Sequence, residues 1–257
     1  MSDPRLTPNP ARVTMALLAR ANRPVVNLYR RPDGPRDRQV LYGEVVTVLG
    51  EEMEWSYVQA RKDGYCGYVP SNQLAVYSEA THDVYAPATH IYEDADFKSP
   101  NLVGLSFGSR LTCTRNVGRF SETELGFVPS VHIKPLSENL SDPAAVATAF
   151  LGTPYLWGGN SRWGIDCSGL VQAALMACGI PCPGDSDMQE TLGANTNGAY
   201  QRNDLLFWKG HVALVSGPDT VIHANAHAMA TVYENVHSAI KRIEDQGDGP
   251  VIAHRRL

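Results

Sequence analysis

The chain has 257 residues, which is enough for two or three domains, and its 43% of hydrophobic residues allow a sizeable core. A formal net charge of −5 and the lack of any basic stripe argue against binding to nucleic acid. Five cysteines, an odd number with no Cys-x-x-Cys pair, argue against a disulfide framework or a structural zinc site and favour a reducing compartment.

The first 23 residues do not have the pattern of a signal peptide. Prolines and an aspartate precede a short apolar run, VTMALLA, which is flanked by Arg12 and Arg20 and lacks a convincing cleavage site. No stretch of the chain approaches the ~20 apolar residues of a membrane span. We therefore expect a cytoplasmic protein without membrane association, and treat residues 1–23 as an N-terminal extension.

Two segments, residues 24–78 and 79–137, repeat the same motifs. The first contains LYGEVVTVLG and GYCGYVPSNQL, and the second contains SFGSRLTCT and LGFVPSVHI. Alternating stretches between these motifs predict short strands joined by turns, in a unit the size of a small five-stranded barrel. The pattern resembles a bacterial SH3 domain present twice. That resemblance implies two all-β barrels that bind peptides or wall fragments, or support a neighbouring domain.

Among the differences between the two repeats, two involve residues that could have a functional role. Glu44 in the first corresponds to Ser109 in the second, and Tyr65 corresponds to Glu124. A carboxylate and a phenol confined to one copy suggest a specialised role. Ordinary surface variation is the other interpretation, and the residues alone favour it.

From residue 138 onward the pattern changes to helices followed by strands. SDPAAVATAFLG predicts a helix with Ser141 or Asp142 as its N-cap, ending at Gly152. DCSGLVQAALMACG predicts a second helix with an apolar stripe and a C-terminal glycine. DLLFW, HVALVSG, TVIHANA and VIAHRR predict strands of an antiparallel sheet. The segment 138–257 is therefore expected to form an α+β domain.

One cysteine of this segment has the setting of a nucleophile. Cys167 is at the predicted start of the second helix, where unpaired N–H groups and the helix dipole favour a thiolate. A nucleophile needs a base and an orienting group. The turn at Gly217–Asp219 brings His211 and His223 to nearly opposite positions of a hairpin, where one imidazole can orient the other. Spacing alone leaves this interpretation level with two partly buried strand histidines.

The motifs of residues 140–257 resemble those of the NlpC/P60 family of papain-like cysteine peptidases. They are Pro-Tyr-x-Trp-Gly-Gly, Asp-Cys-Ser-Gly, a strand that begins Gly-His-Val, and a second histidine twelve residues later. The resemblance implies a papain-like domain preceded by the two SH3-like barrels. It also implies that Cys167 is the nucleophile, His211 the base and His223 the orienting residue. Tyr155 would help to stabilise the oxyanion, and no metal or organic cofactor is expected.

The upstream barrels are similar to those of one branch of that family. Its members are cytoplasmic γ-D-glutamyl-L-diamino acid endopeptidases that cut murein peptides with a free N-terminal L-Ala. The resemblance implies that six residues form the site for that amine: Asp166, Ser168, Asp185, Ser186, and from the first barrel Glu44 and Tyr65. A helix cap is the alternative role for Asp166, and a solvated loop charge is the alternative for Asp185.

The expected function is hydrolysis of the bond between γ-D-Glu and meso-diaminopimelate or L-Lys in recycled murein peptides. A secreted endopeptidase acting on intact peptidoglycan shares the chemistry but needs no free amine. A non-catalytic murein-peptide-binding protein and an acyltransferase or amidase on the same fold are further alternatives. No nucleic-acid partner is expected under any of these interpretations.

Overall fold

The computed structural model describes residues 3–257 and divides into two units. The first unit, Met1–Glu138, contains the strands of both repeats. Seven strands, six of them from the first repeat, make one antiparallel sheet in the order β3-β2-β6-β5-β4-β1-β7. Their bounds are β1 Leu17–Ala21, β2 Val25–Tyr29, β3 Arg36–Leu41, β4 Val45–Glu52, β5 Trp55–Ala60, β6 Cys66–Pro70 and β7 Leu74–Val76.

The predicted start of the first barrel, residue 24, falls after its first strand. β1 pairs with β4, where Leu17 is opposite Val48, and with β7, where Ala19 is opposite Val76. A 3-10 helix, Pro10–Arg12, precedes it. The short apolar run of the N-terminal segment is thus partly a strand of the barrel. Residues 1 and 2 of that segment lie outside the described residues.

The second repeat has the same order of strands. Its strands form a five-stranded sheet, β10-β9-β14-β13-β12, and a three-stranded sheet, β11-β8-β15. In both repeats the Val-Pro of a Val-Pro-Ser segment ends one strand, and the serine begins a 3-10 helix that leads directly into the last strand. The bounds are β8 His82–Val84, β9 Ala88–Tyr92, β10 Asn101–Ser106, β11 Arg110–Leu111, β12 Cys113–Val117, β13 Phe120–Thr123, β14 Gly126–Pro129 and β15 Ile133–Pro135.

The second unit, Asn139–Leu257, is an α+β fold with a six-stranded sheet in the order β18-β23-β19-β20-β21-β22. Its strands are β16 Asn160–Ser161, β17 Gly164–Ile165, β18 Ala194–Asn195, β19 Leu205–Trp208, β20 His211–Gly217, β21 Thr220–Asn225, β22 Ala230–Asn235 and β23 Ala253–Arg256. Its helices are α1 Pro143–Thr148, α2 Cys167–Ala177, α3 Ser186–Gln189 and α4 Val236–Asp245.

The two predicted helices begin at the expected residues. The Asp142 side chain accepts a hydrogen bond from Ala144 N and caps α1, which ends earlier than Gly152. Asp166 caps α2 in the same way, and Gly179 follows the helix with φ +75°, a conformation that favours glycine. β22 and α4, which follow the histidine hairpin, were not predicted.

The central strand β20 is buried on both faces, because Val212 through Val215 are all fully buried. One face packs on α4 through Ala213, Val215, Ala239 and Ile243. Helices α1 and α2 contact β20 and β21. The sheet therefore holds the ends of β20, β21 and α2 in fixed relative positions.

No helix within residues 3–257 is long and apolar enough to cross a membrane. The same residues contain no cluster of three or more His, Cys, Asp or Glu side chains arranged to hold a metal ion. No disulfide joins the five cysteines, all of which lie in the described part of the chain.

Candidate active site

Cys167 is the first residue of α2 and is buried. Its Sγ lies 4.0 Å from the carbonyl oxygen of Gly210, the residue directly before His211. The close approach of α2 to a loop requires Gly169, because a Cβ there would lie 2.4 Å from the carbonyl oxygen of Gly159. The Asp-Cys-Ser-Gly motif thus presents a thiol at a helix N-terminus, beside the start of β20.

His211 and His223 are in direct contact. His211 Nε2 lies 2.9 Å from His223 Nδ1, and His223 is fully buried whereas His211 is half-buried. The hairpin register pairs Leu214 with Ile222, so the two histidines are diagonal neighbours and not directly opposite ones. Because His211 Nε2 is bound to His223, its Nδ1 is the nitrogen that remains for the thiol proton.

The hydrogen-bonded chain continues past the two histidines to residues that the sequence analysis missed. His223 Nε2 lies 3.0 Å from Glu234 Oε2 on β22, and Arg242 on α4 binds both oxygens of that carboxylate at 2.9 and 2.7 Å. Asn225 Nδ2 also lies 3.0 Å from His223 Nε2. The alternation in Thr-Val-Tyr-Glu-Asn was a signal for the strand, but not for its pairing with His223.

The electrostatic setting keeps His211 neutral and Glu234 charged. Burial of the ring, with His223 and Arg242 nearby, lowers the pKa of His211, and Glu234 opposes this only in part. Hydrogen bonds from Arg242 and His223 lower the pKa of Glu234 to about 2 despite its partial burial. A neutral imidazole beside a thiol is able to accept its proton.

Tyr155 is held near the nucleophile by backbone contacts. It forms a bridge with Ile165, and its N–H donates to the carbonyl oxygen of Met229 at 2.9 Å. Burial raises the pKa of its phenol, and the charges of Cys167 and Asp166 raise it further. The phenol therefore keeps its proton and is a hydrogen-bond donor at neutral pH.

Asp166 and Ser168 flank the thiol, and both are buried. Asp166 Oδ1 accepts hydrogen bonds from Gly169 N at 2.7 Å and from the Ser168 hydroxyl at 3.1 Å, while Oδ2 accepts from Gly158 N at 2.8 Å. The alternative role of Asp166 as a helix cap is therefore real. Its role toward a substrate amine stays a prediction.

Asp185 and Ser186 begin the short helix α3 and are half-buried. Gln189, at the end of α3, donates from Nε2 to the carbonyl oxygen of Ser168 at 3.0 Å and to that of Pro183 at 2.9 Å. The bond to Ser168 joins α3 to the first turn of α2. Asp185 thus belongs to an element packed beside the nucleophile and not to a remote loop.

Glu44 is a buried residue of the first unit and not part of a variable surface. Its Oε2 accepts from Leu41 N at 2.7 Å, and Lys62 Nζ lies 3.0 and 2.9 Å from its two oxygens. The carboxylate thus closes the turn before β4 and neutralises the ammonium group of a largely buried side chain. Its predicted role toward a substrate amine stays a prediction.

Tyr65 is also buried, and its N–H donates to Asp63 Oδ1 at 3.0 Å. It lines a cavity of about 650 Å³ on the first barrel together with Tyr57, Tyr68 and Arg12. Tyr68 packs against Tyr57 with ring centroids 5.1 Å apart, as expected for a residue of the barrel core. The predicted role of Tyr65 in the substrate site stays a prediction.

Comparison with known proteins identifies two families. Residues 28–74 match the bacterial dipeptidyl-peptidase Sh3 domain, and residues 152–243 match the NlpC/P60 family. The first match falls within the first repeat. The second contains Cys167, His211, His223 and Glu234.

Two curated relatives cover most of the chain. The chain is 29% identical to dipeptidyl-peptidase 6 of Lysinibacillus sphaericus over 78% of this chain and 85% of the relative. It is 32% identical to the γ-D-glutamyl-L-lysine dipeptidyl-peptidase of Bacillus subtilis over 79% of this chain and 80% of the relative. A crystal structure of an NlpC/P60 family protein from Bacillus cereus has the same fold, with a TM-score of 0.79, 21% identity, and coverage of 93% of this chain and 99% of that one.

Proposed function

The chain belongs to the NlpC/P60 family of cysteine peptidases, with activity on peptides of peptidoglycan, and from this we propose its substrate and its catalytic residues. The proposed reaction is hydrolysis of the bond between γ-D-Glu and the third-position diamino acid, meso-diaminopimelate or L-Lys. The proposed substrate carries a free N-terminal L-Ala. The observation that carries the proposal is the contact between His211 and His223 beside a helix that begins at Cys167.

In the proposed reaction, His211 takes the thiol proton through Nδ1 and the Cys167 sulfur attacks the γ-carbonyl carbon of D-Glu. Tyr155 and the backbone N–H of Cys167 donate to the oxyanion. The C–N bond then breaks, and protonated His211 gives its proton to the departing amine. A water molecule, deprotonated by His211, attacks the thioester, and the thiol is restored. These reaction steps require no change of oxidation state and no co-reactant other than water.

The proposed recognition of the substrate is electrostatic. A free L-Ala amine is a cation, and a site that requires it needs carboxylates and hydrogen-bond acceptors. Asp166 and Ser168 beside the nucleophile, with Asp185 and Ser186 on α3, are proposed to supply them. Glu44 and Tyr65 are proposed to complete the site. Relatives named dipeptidyl-peptidase support this proposal.

A requirement for a free amine would restrict the enzyme to peptides already released from the glycan. We therefore propose a role in recycling such peptides, in the cytoplasm. The other candidate, an endopeptidase of intact peptidoglycan, shares the same cysteine chemistry and differs in needing no amine.

One experiment separates these candidates. The protein is incubated with L-Ala-γ-D-Glu-meso-diaminopimelate and with its N-acetylated form, and release of the diamino acid is followed by mass spectrometry. Cleavage of the free-amine peptide alone is the expected result. Equal cleavage of both peptides would contradict the amine site and favour the wall endopeptidase. Cleavage of neither would overturn the proposed substrate.

The same assay tests the nucleophile. Cys167→Ala is expected to remove turnover, whereas Cys178→Ala, at the other end of the same helix, is the matched control and keeps it. Circular dichroism and unfolding curves confirm that both variants fold. Turnover by a folded Cys167→Ala protein would refute the mechanism.

A further inference from the structure

A single ring nitrogen, His223 Nε2, has two competing neighbours. The carboxylate oxygen Oε2 of Glu234 lies 3.0 Å from it and can only accept a proton in a hydrogen bond. The side-chain nitrogen of Asn225 also lies 3.0 Å from it and can only donate. Asn225 Oδ1 accepts from Ala228 N at 2.7 Å, which fixes the amide with its nitrogen toward the histidine. His223 Nε2 can satisfy one neighbour but not both.

The choice between these neighbours decides which nitrogen of His223 carries the proton. If Nε2–H donates to Glu234, then Nδ1 has a lone pair and accepts from Nε2–H of His211, 2.9 Å away. His211 Nδ1 then has a lone pair for the thiol proton. If Nε2 instead accepts from Asn225, then Nδ1 carries the proton and donates to His211 Nε2. His211 must then carry its proton on Nδ1, where a base needs a lone pair.

The protonated form of His211 sets the same requirement. An imidazolium carries a proton on both nitrogens, so its Nε2–H needs an acceptor. Only the His223 tautomer with a bare Nδ1 provides one. With the proton on His223 Nδ1, two N–H groups would face each other across 2.9 Å. One tautomer of His223 thus suits both the neutral and the charged state of the base.

Of the two neighbours, Glu234 is expected to form the stronger hydrogen bond with His223 Nε2. A hydrogen bond to an ionised carboxylate is about twice as strong as one between neutral groups. Arg242 binds Glu234 through two nitrogens, at 2.9 and 2.7 Å, so the carboxylate is fixed in direction as well as in charge. We propose that Glu234, clamped by Arg242, is a positioning residue that overrides Asn225 and selects the His223 tautomer required by the base.

The proposal extends the relay from Cys167, His211 and His223 to a fourth and a fifth residue, and it rests on the proposed roles of Cys167 and His211. The sheet builds it from three elements. Glu234 is on β22, opposite Val221 of β21, and is thus diagonal to His223, while Arg242 reaches it from α4. The half-buried carboxylate and its bidentate partner have a function beyond joining a strand to a helix.

The first test reads the tautomers directly. In the Cys167→Ala protein at neutral pH, ¹⁵N NMR of the assigned histidine rings reports which nitrogen is protonated. The expected result is a proton on Nε2 of both His211 and His223. A proton on Nδ1 of His223 would overturn the proposal. This measurement leaves Glu234 unchanged and needs no substrate, so it stays decisive if a Glu234 variant fails to fold or if the proposed peptide is wrong.

The second test removes the charge of Glu234. Glu234→Gln is expected to lower kcat about 10- to 100-fold with little change in KM, and to slow alkylation of Cys167 by iodoacetamide. In the Cys167→Ala background, the same change is expected to move the His223 proton to Nδ1. Glu244→Gln removes an exposed carboxylate from α4 and is the matched control.

Two outcomes of the second test would overturn the proposal. One is a Glu234→Gln protein with unchanged kcat and alkylation rate. The other is a fall in both with the tautomers unchanged, which would make Glu234 a structural residue. If only the proposed substrate is wrong, the wild-type protein would not cut the peptide. The histidine tautomers and the alkylation rate of Cys167 would still change in Glu234→Gln, so the two failures can be distinguished.

Discussion

At the scale of single residues, a substitution of Tyr155 tests whether its phenol donates a hydrogen bond to the oxyanion. Burial and the nearby charges of Cys167 and Asp166 raise its pKa, so it remains a donor at neutral pH. Tyr155→Phe is expected to lower kcat about 100-fold while KM changes little, as for loss of one oxyanion donor. Tyr233→Phe is the matched control, because that phenol belongs to an exposed residue and bonds to the Thr148 hydroxyl at 2.7 Å. Equal kinetics for the two variants would contradict the assignment.

Local patterns indicated the residues that we propose for the reaction, but not those that support them. Cys167 was accessible to prediction because an N-cap and an apolar stripe define a helix start within a few residues. His211 and His223 were accessible because a turn joins their strands. Glu234 and Arg242 were not, since their contacts depend on how β22 pairs with β21 and where α4 packs, and no nearby residue specifies either.

At the scale of elements, Asp166 combines a helix cap with a proposed charge for the substrate, and two substitutions separate these roles. Asp166→Asn retains an oxygen for Gly169 N and removes the charge, whereas Asp166→Ala removes the cap as well. The alanine variant is expected to lose about 2 kcal/mol of unfolding free energy, and the asparagine variant less.

The kinetic expectation for the two variants follows from the proposed amine site. Both are expected to raise KM for the free-amine peptide about 10-fold or more, because the ammonium loses a charged partner. KM and unfolding curves measured on the same samples distinguish the role of Asp166 toward the substrate from its role as a helix cap. If KM rises only in the variant that loses the cap, then Asp166 acts through the helix alone.

The last strand along the chain, β23, depends on a buried carboxylate. Asp204, almost fully buried just before β19, accepts from His254 at 2.7 Å and from Arg256 at 2.8 and 2.7 Å, both on β23. Asp204→Asn is expected to lower the unfolding free energy by about 2 kcal/mol at neutral pH. Asp219→Asn, in the exposed turn of the histidine hairpin, is the control and should change it little.

The pH dependence of that loss has a definite sign. Burial alone would raise the pKa of Asp204, but hydrogen bonds from Arg256, the Gln201 backbone and His254 outweigh it and lower the pKa. Its stabilising effect is therefore complete above its ordinary pKa and is lost as pH falls through the lower folded value. Denaturant unfolding at about pH 7 and about pH 3 should show a smaller difference between wild type and Asp204→Asn at acid pH. A difference that grows at acid pH would contradict this account.

The elements themselves were predicted unevenly. β20 coincides with the stretch HVALVSG, because its apolar residues lie between a histidine and a clear turn. β22 was missed although its residues alternate, because the alternation covers only a few residues, several of them polar or charged. α1 is shorter than its sequence signals, ending at Thr148 because the chain then turns so that Gly152 N can donate to Thr231 of the sheet.

At the scale of the whole molecule, the internal repeat was the most informative signal in the first half of the chain. Both copies have the same strand order, and the motifs that revealed the repeat mark the same turns in each. The repeat could not reveal that β1 belongs to the first barrel, since that strand lies before the first repeated motif. Nor could it distinguish a buried carboxylate from a surface one at Glu44.

Glu44 is where barrel stability and substrate recognition can be separated. Glu44→Gln leaves Lys62 without its counter-ion at a site where both side chains are only about a tenth exposed, at 10% and 11%. Breaking such a pair is expected to cost about 3 kcal/mol. Hydrogen exchange should therefore rise in peptides of the first barrel. If Glu44 also binds the substrate amine, the ratio of kcat/KM for the free-amine peptide to that for the acetylated peptide should fall about 10-fold.

Lys62→Met is the matched variant for this test, because it breaks the same ion pair and keeps the carboxylate. It is expected to increase hydrogen exchange in the first barrel as Glu44→Gln does, but to leave the kcat/KM ratio near its wild-type value. A fall of the ratio in both variants would mean that the ion pair only maintains the barrel. A fall in Glu44→Gln alone requires the carboxylate itself, and would make the first repeat a part of the enzyme that reads its substrate.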